Sequence, residues 1–239
     1  MYENVKKVRM LLMTYLEIFK KFVDTPPLIP IGRWMHTPVY LHWSWLLLLL
    51  FVLVVDPLTA CALAGVCLLL ILHELGHSHA AYVYGYETKA IIVYIIGGVS
   101  DPIKDGNTDY DLNYKQEMWI LFCGPLVNLI LVPFLMVLHW TFPDLTFVRQ
   151  IMLFNFVVFF LNLLPVYPLD CGKFILSVFS HKFGKAKGTL YTVRLSNLLS
   201  IIIGVLSIVN GYFVMAIIAL FIYHASRQEI SVFKRTNVE

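Results

Sequence analysis

Two histidines spaced four apart, with a glutamate directly after the first, are the residues of this chain best placed to do chemistry. They lie in Ile71-Leu-His-Glu-Leu-Gly-His77, an H-E-x-x-H pattern. Residues four apart on a helix lie nearly above one another, so His73 and His77 can present two imidazoles to one zinc ion. Glu74 falls on the adjoining flank, where it can take a proton from an attacking water and pass it to a leaving amine. The surrounding sequence is apolar. Ionisable groups inside an apolar crossing are costly if idle, which favours function over decoration. The structural alternative is a polar cluster that seals two helices together.

A catalytic zinc takes three protein ligands and keeps one position open. The best candidate for the third is Asp170, in Asn162-Leu-Leu-Pro-Val-Tyr-Pro-Leu-Asp170-Cys-Gly-Lys. Pro165 and Pro168 prevent a regular helix there, so the chain can unwind and turn a carboxylate inward. Taken alone, Asp170 reads rather as an interfacial loop acid paired with Lys173. His79 lies two residues past His77 and points to another face, as an interhelical residue. His36, His42, His139, His181 and His224 fall near the ends of apolar segments, where interfacial histidines are ordinary. Asn128, Asn155 and Asn162 sit within apolar segments and read as hydrogen-bonding glue between helices.

The elements that must carry these groups are apolar crossings. Of 239 residues, 59% are hydrophobic and 14% charged, with a mean hydropathy of +0.76. A soluble domain carries about 25% charged residues. The missing charge points to lipid as the solvent. Crossings are expected at Val39 to Val55, Leu58 to Tyr84, Met118 to Trp140, Phe147 to Leu164, Leu195 to Val209 and Tyr212 to about Ala225. The second ends near Gly85. A β-branched run from Thr88 to Ile96 follows, too short to span as a helix, and reads as a strand stopped by Gly97-Gly98. A solvated loop carrying Asp101, Asp105, Asp109 and Asp111 comes next. The fold class is therefore an all-α polytopic membrane protein of about six transmembrane helices, with a short β element after the second crossing.

Charge placement supports this count. With both termini cytoplasmic, every one of the 18 basic residues except Arg149 falls on the inside, as the positive-inside rule requires. Residues 1–30 read as an amphipathic surface helix, with Val5, Val8, Leu12, Tyr15, Leu16 and Phe19 at helical spacing between lysines, followed by a Pro26-Pro27-Pro30 linker. Residues 31–228 form the six-span membrane domain and 229–239 a cytoplasmic tail. The four cysteines make no C-x-x-C pattern. A net charge of +3 without a basic stripe excludes nucleic acid as a partner.

Three elements in order resemble the site-2 protease family of intramembrane metalloproteases. They are His73-Glu74-Leu75-Gly76-His77, Gly124-Pro125-Leu126-Val127-Asn128, and Asn162-Leu-Leu-Pro through Leu169-Asp170. The Gly97-Gly98 strand end fits as well, and the likeness covers residues 40 to 180. It implies that His73, His77 and Asp170 hold one zinc ion (Zn2+), that Glu74 is the catalytic acid and base, and that Asn162 positions substrate or stabilises the oxyanion. Family members usually have glycine after the aspartate, whereas Cys171 follows Asp170 here. The chain resembles the minimal form, with neither a PDZ-like insert nor a nucleotide-sensing module. The implied activity is cleavage of transmembrane segments within the bilayer. Its partners would be a single-span membrane protein as substrate and a membrane-embedded regulator, and its location a prokaryotic plasma membrane. A metal transporter using the histidines as a relay and a catalytically silent, partner-binding family member are the alternatives. The strand at Thr88 to Ile96 is expected to offer an edge for an extended substrate.

Overall fold

The structure, a computed structural model, describes residues 28–35, 37–94, 97–103 and 112–236. The amphipathic helix expected in the first thirty residues lies outside them, as does most of the acidic loop.

Two strands open the described chain. β1 (Leu28–Trp34) runs antiparallel to β2 (Thr37–His42), with a bulge between Pro30 and Gly32. β2 passes directly into α1 (Trp43–Val55), whose first turn is capped by His42 through the Ser44 amide. The expected crossing from Val39 to Val55 is thus divided. Its first residues are drawn into a sheet, because Val39 and Leu41 pair with Ile91 and Val93 of β3 (Glu87–Tyr94). The helix that remains has 13 residues, about 20 Å against the roughly 30 Å hydrocarbon core.

α2 (Pro57–Val83) begins at a proline, with the Asp56 side chain accepting from the Leu58 amide. This is the order of cap and first-turn residue that starts helices efficiently. After α2 the chain forms β3 and β4 (Gly97–Ile103). The sheet has four strands in the order β1-β2-β3-β4. β3 lies parallel to β2 and antiparallel to β4. It is therefore an interior strand, and the expectation that it offers an open edge is corrected: β2 and β4 occupy both its sides. The edges are β1 and β4, which carry Pro30 and Pro102, as the lost N–H of proline dictates. β4 also starts at the glycine pair expected only to end the preceding strand. Ile91 and Val93 are fully buried against Val39, Trp45, Val66, Leu70 and Val158, which seats the sheet on α2 and α4.

The remaining helices are α3 (Tyr114–Thr141), α4 (Thr146–Asn162), α5 (Asp170–Phe183), α6 (Lys185–Val209) and α7 (Phe213–Thr236). α3 opens with a capping box between Asn113 and Gln116. α2 packs on α1, α3 and α4; α3 packs on α4 and α5; α5 leads to α6, and α6 to α7. α2, α3, α6 and α7 are long and apolar enough to cross a membrane, while α1 and the 17-residue α4 are shorter apolar helices. α5, which no expected crossing covered, is a separate short helix between α4 and α6. α7 continues through 229–236, positions read from sequence as a tail. Large apolar side chains such as Ile130, Phe134 and Val137 on α3 and Val214 and Ile217 on α7 face outward. A face of that kind is stable in lipid and not in water. The chain is a membrane protein.

Candidate metal centre

His73 and His77 lie on α2 one turn apart, and both are buried at 4% and 7% exposure. The face of α3 opposite them carries Ile120, Gly124 and Asn128, each four residues after the last. His77 Nδ1 donates to the Ile120 carbonyl at 2.8 Å, and His73 Nδ1 donates to Asn128 Oδ1 at 3.0 Å. The two helices can approach this closely because glycines meet there. A Cβ on Gly124 would lie 2.2 Å from His77 Nε2, and one on Gly76 would lie 2.6 Å from the Cys123 carbonyl oxygen. Small residues at such contacts are the usual means of bringing membrane helices together.

A carbonyl can only accept, so the Ile120 bond fixes the proton of His77 on Nδ1 and leaves Nε2 with its lone pair. The Asn128 oxygen does the same for His73. Both Nε2 atoms then face Asp170 Oδ2, at 3.0 Å for His73 and 3.3 Å for His77, and they lie 3.3 Å from each other. Three acceptors gathered without a proton between them call for a cation. Ligands bound tetrahedrally at about 2.0–2.1 Å stand about 3.3–3.4 Å apart, close to the observed spacings. Two imidazoles and one carboxylate also form a suitable donor set for zinc.

The segment after α4 contains Pro165 and Pro168, and α5 starts at Asp170 itself. The turn is pressed tightly against α5, since a Cβ on Gly172 would lie 2.2 Å from the Val166 carbonyl carbon. Asn162 Oδ1 faces the Asp170 amide at 3.5 Å, and Asn162 Nδ2 donates to the Val158 carbonyl at 3.1 Å. Glu74, adjacent to His73 on α2, is also buried. His73, His77 and Asp170 thus converge, Asn162 braces the turn that delivers Asp170, and His79 points outward to an exposed position. Among the described residues, Cys171 is not part of the ligand group.

Residues 61–144 match the family described as Peptidase family M50. The chain is 27% identical over 204 residues to a zinc metalloprotease of Methanocaldococcus jannaschii, covering 82% of this chain and 58% of the relative. It is 28% identical over 148 residues to stage IV sporulation protein FB of Bacillus subtilis, covering 59% and 49%. A solved structure titled as a site-2 protease from Methanocaldococcus jannaschii superposes on 85% of this chain and 95% of its own, with a TM-score of 0.61 and 24% identity. The chain is thus similar to Peptidase family M50 over residues 61–144 and shares the fold of a solved site-2 protease. It spans between about half and three fifths of the length of these two curated relatives.

The matched region holds both histidines and the whole α3 face that orients them. Sequence reasoning missed the role of that face. Asn128 reads from sequence as helix packing, whereas its side chain accepts from His73 Nδ1 and so fixes the orientation of that ring. The part played by Ile120 is a backbone carbonyl, for which no side-chain signal exists. Gly124 and Asn128 stood in the motif that carried the resemblance, and their spacing of four and eight from Ile120 was the available clue.

Proposed function

We propose that this chain is a member of the site-2 protease family, a zinc-dependent endopeptidase that cuts transmembrane segments of single-span membrane proteins. The observation that carries the proposal is the convergence of His73 Nε2, His77 Nε2 and Asp170 Oδ2 at 3.0–3.3 Å inside an apolar helix bundle. Zinc bound by these three residues would supply Lewis acidity toward a peptide carbonyl and toward water. Glu74 then serves as base and acid, taking the proton of the attacking water and delivering it to the amine as the C–N bond breaks. Asn162 lies beside the Asp170 turn. Its amide carries two hydrogens, of which the Val158 carbonyl takes one, so the second can meet the substrate carbonyl.

A transmembrane helix hides its peptide bonds behind its own hydrogen bonds and must unwind before it can be cut. An extended substrate that pairs with the sheet does so at β1 or β4, the two edges. In the bilayer the chain makes about six crossings with both termini cytoplasmic, an arrangement supported by the basic residues. α1 and α4 cross by local thinning of the lipid. The setting this topology suits is a prokaryotic plasma membrane.

The test compares wild type with Glu74→Gln in detergent with zinc, against a panel of single-span membrane proteins. The variant should keep its zinc and lose cleavage by at least about 10²–10⁴-fold, the range of general acid–base catalysis. Unchanged turnover would remove Glu74 from the mechanism.

A further inference from the structure

The turn that delivers Asp170 is held from two helices that do not themselves carry metal ligands. Tyr167 is the point of attachment for both. Its amide donates to Ser196 Oγ of α6 at 2.8 Å, and its hydroxyl donates to Glu229 Oε2 of α7 at 2.7 Å. The Ser196 hydroxyl in turn donates to the Thr192 carbonyl, so its oxygen is oriented toward Tyr167. Ser196 and Val166 are fully buried, and Tyr167 and Glu229 are half-buried.

The contact can be transmitted to the metal centre because the turn is tight. A Cβ on Gly172 would lie 2.2 Å from the Val166 carbonyl carbon and 2.3 Å from the Tyr167 nitrogen. The first turn of α5, which starts at Asp170, therefore rests directly on the Val166–Tyr167 peptide. A displacement of Tyr167 moves that peptide, and with it the helix start that carries Oδ2. Metal ligation tolerates little of this, since bond lengths hold within about 0.2 Å. α7 otherwise packs along α6, and the Tyr167 bond ties it to the ligand turn.

We propose that Glu229 and Tyr167 are positioning residues, through which α7 sets the Asp170 carboxylate in register with the histidine pair. The inference rests on the metalloprotease reading above. Glu229 makes no contact with the ligand group; it acts through Tyr167 and then through the turn. The bond is charge-assisted and partly buried, which makes it stronger than a fully exposed neutral pair. The connection also gives the far C-terminal helix a function at the metal centre, across 62 residues of sequence.

The experiment uses the full chain in detergent and titrates zinc-loaded protein with a chelator, reading the concentration at half release. Variants are Tyr167→Phe, Glu229→Ala, Glu229→Gln and the double variant Tyr167→Phe/Glu229→Ala. Thermal unfolding of the metal-free forms is measured alongside. Direct outer partners of metal ligands carry about 10–100-fold in affinity. One layer further out, Tyr167→Phe and Glu229→Ala should each release zinc about 3–10-fold more readily. The double variant should match the singles, because all of them break one bond. Glu229→Gln keeps an acceptor and should retain zinc close to wild type. Equal retention in wild type and Glu229→Ala would overturn the inference, as would additive effects in the double variant. It would also be overturned if retention fell only in step with the metal-free unfolding temperature, which marks a purely structural bond. A wild type that holds no zinc, with His73→Ala indistinguishable from it, sinks the metalloprotease reading instead.

Discussion

Gly124→Ala isolates the helix contact on which the metal centre depends. The added methyl would stand 2.2 Å from His77 Nε2, 2.4 Å from His77 Cε1 and 2.9 Å from His73 Nε2. Ordinary contact begins at 3.4 Å, so the His77 nitrogen must retreat by about 1.2 Å, several times the roughly 0.2 Å that ligation tolerates. Helix α2 cannot back away freely, since α1 and α4 pack against it and Gly65 is seated on Ile151 of α4. Losing a ligand should cost more than losing an outer partner, hence more than about 100-fold in zinc affinity, or about 2.7 kcal/mol. Local propensity acts in the opposite direction. Alanine is favoured over glycine in a helix by up to about 1 kcal/mol, a gain reduced by the following Pro125. The assay is zinc content by metal analysis, paired with thermal unfolding of the metal-free protein. Gly204→Ala serves as the control, because its methyl would meet only Ala219 Cβ, at 3.6 Å. A Gly124→Ala protein that binds one zinc as tightly as wild type would refute the reasoning.

Two further outcomes follow from the same geometry. Asn128→Ala removes the acceptor for His73 Nδ1 at 3.0 Å and should weaken zinc retention by about 10–100-fold, read by chelator competition; wild-type retention would show that the Ile120 bond alone orients the pair. Asp170→Ala removes the third ligand and should reduce metal content in purified protein well below one zinc per chain, with undiminished content excluding Asp170 from the ligand set.

The histidine pair was legible because two constraints coincide at it. The i, i+4 spacing fixes a shared helix face, and the apolar surroundings make idle imidazoles expensive. Asp170 was legible for a different reason: two prolines told where the backbone leaves the helix. The sheet was legible only in its third strand. Thr37–His42 merges into an apolar run, and periodicity cannot separate a buried strand from a buried helix over so few residues. Nothing in the local sequence announces that Val39 pairs with Ile91, because the partner lies on the other side of α2. α5 escaped for a related reason, being neither long nor apolar enough to register as a crossing. Glu229 followed the last expected crossing and was read as solvated tail, while the helix in fact carries it back to Tyr167.

The division between what was legible and what was not follows the division between ligands and the groups that hold them. A ligand must be a particular residue type, so its identity leaves a mark in the sequence. The groups that orient it need only a carbonyl, an absent methyl or a single hydroxyl at the right place, and many residues provide those. In a lipid environment these supports carry unusual weight. An imidazole N–H that misses its partner inside an apolar bundle has no bulk solvent to turn to, so each misplaced support leaves a buried polar group with a large desolvation cost. The α3 face meets that demand with a carbonyl, a glycine and an amide at fixed four-residue intervals. A helix repeats close to that interval, so one rigid element can serve both histidines of α2 at once. The carboxylate starts α5, which packs on α3, and its turn is clasped between α4, α6 and α7. The two sides of the site are thus braced differently, the histidines by one rigid helix face and Asp170 by a turn that gathers contacts from three helices.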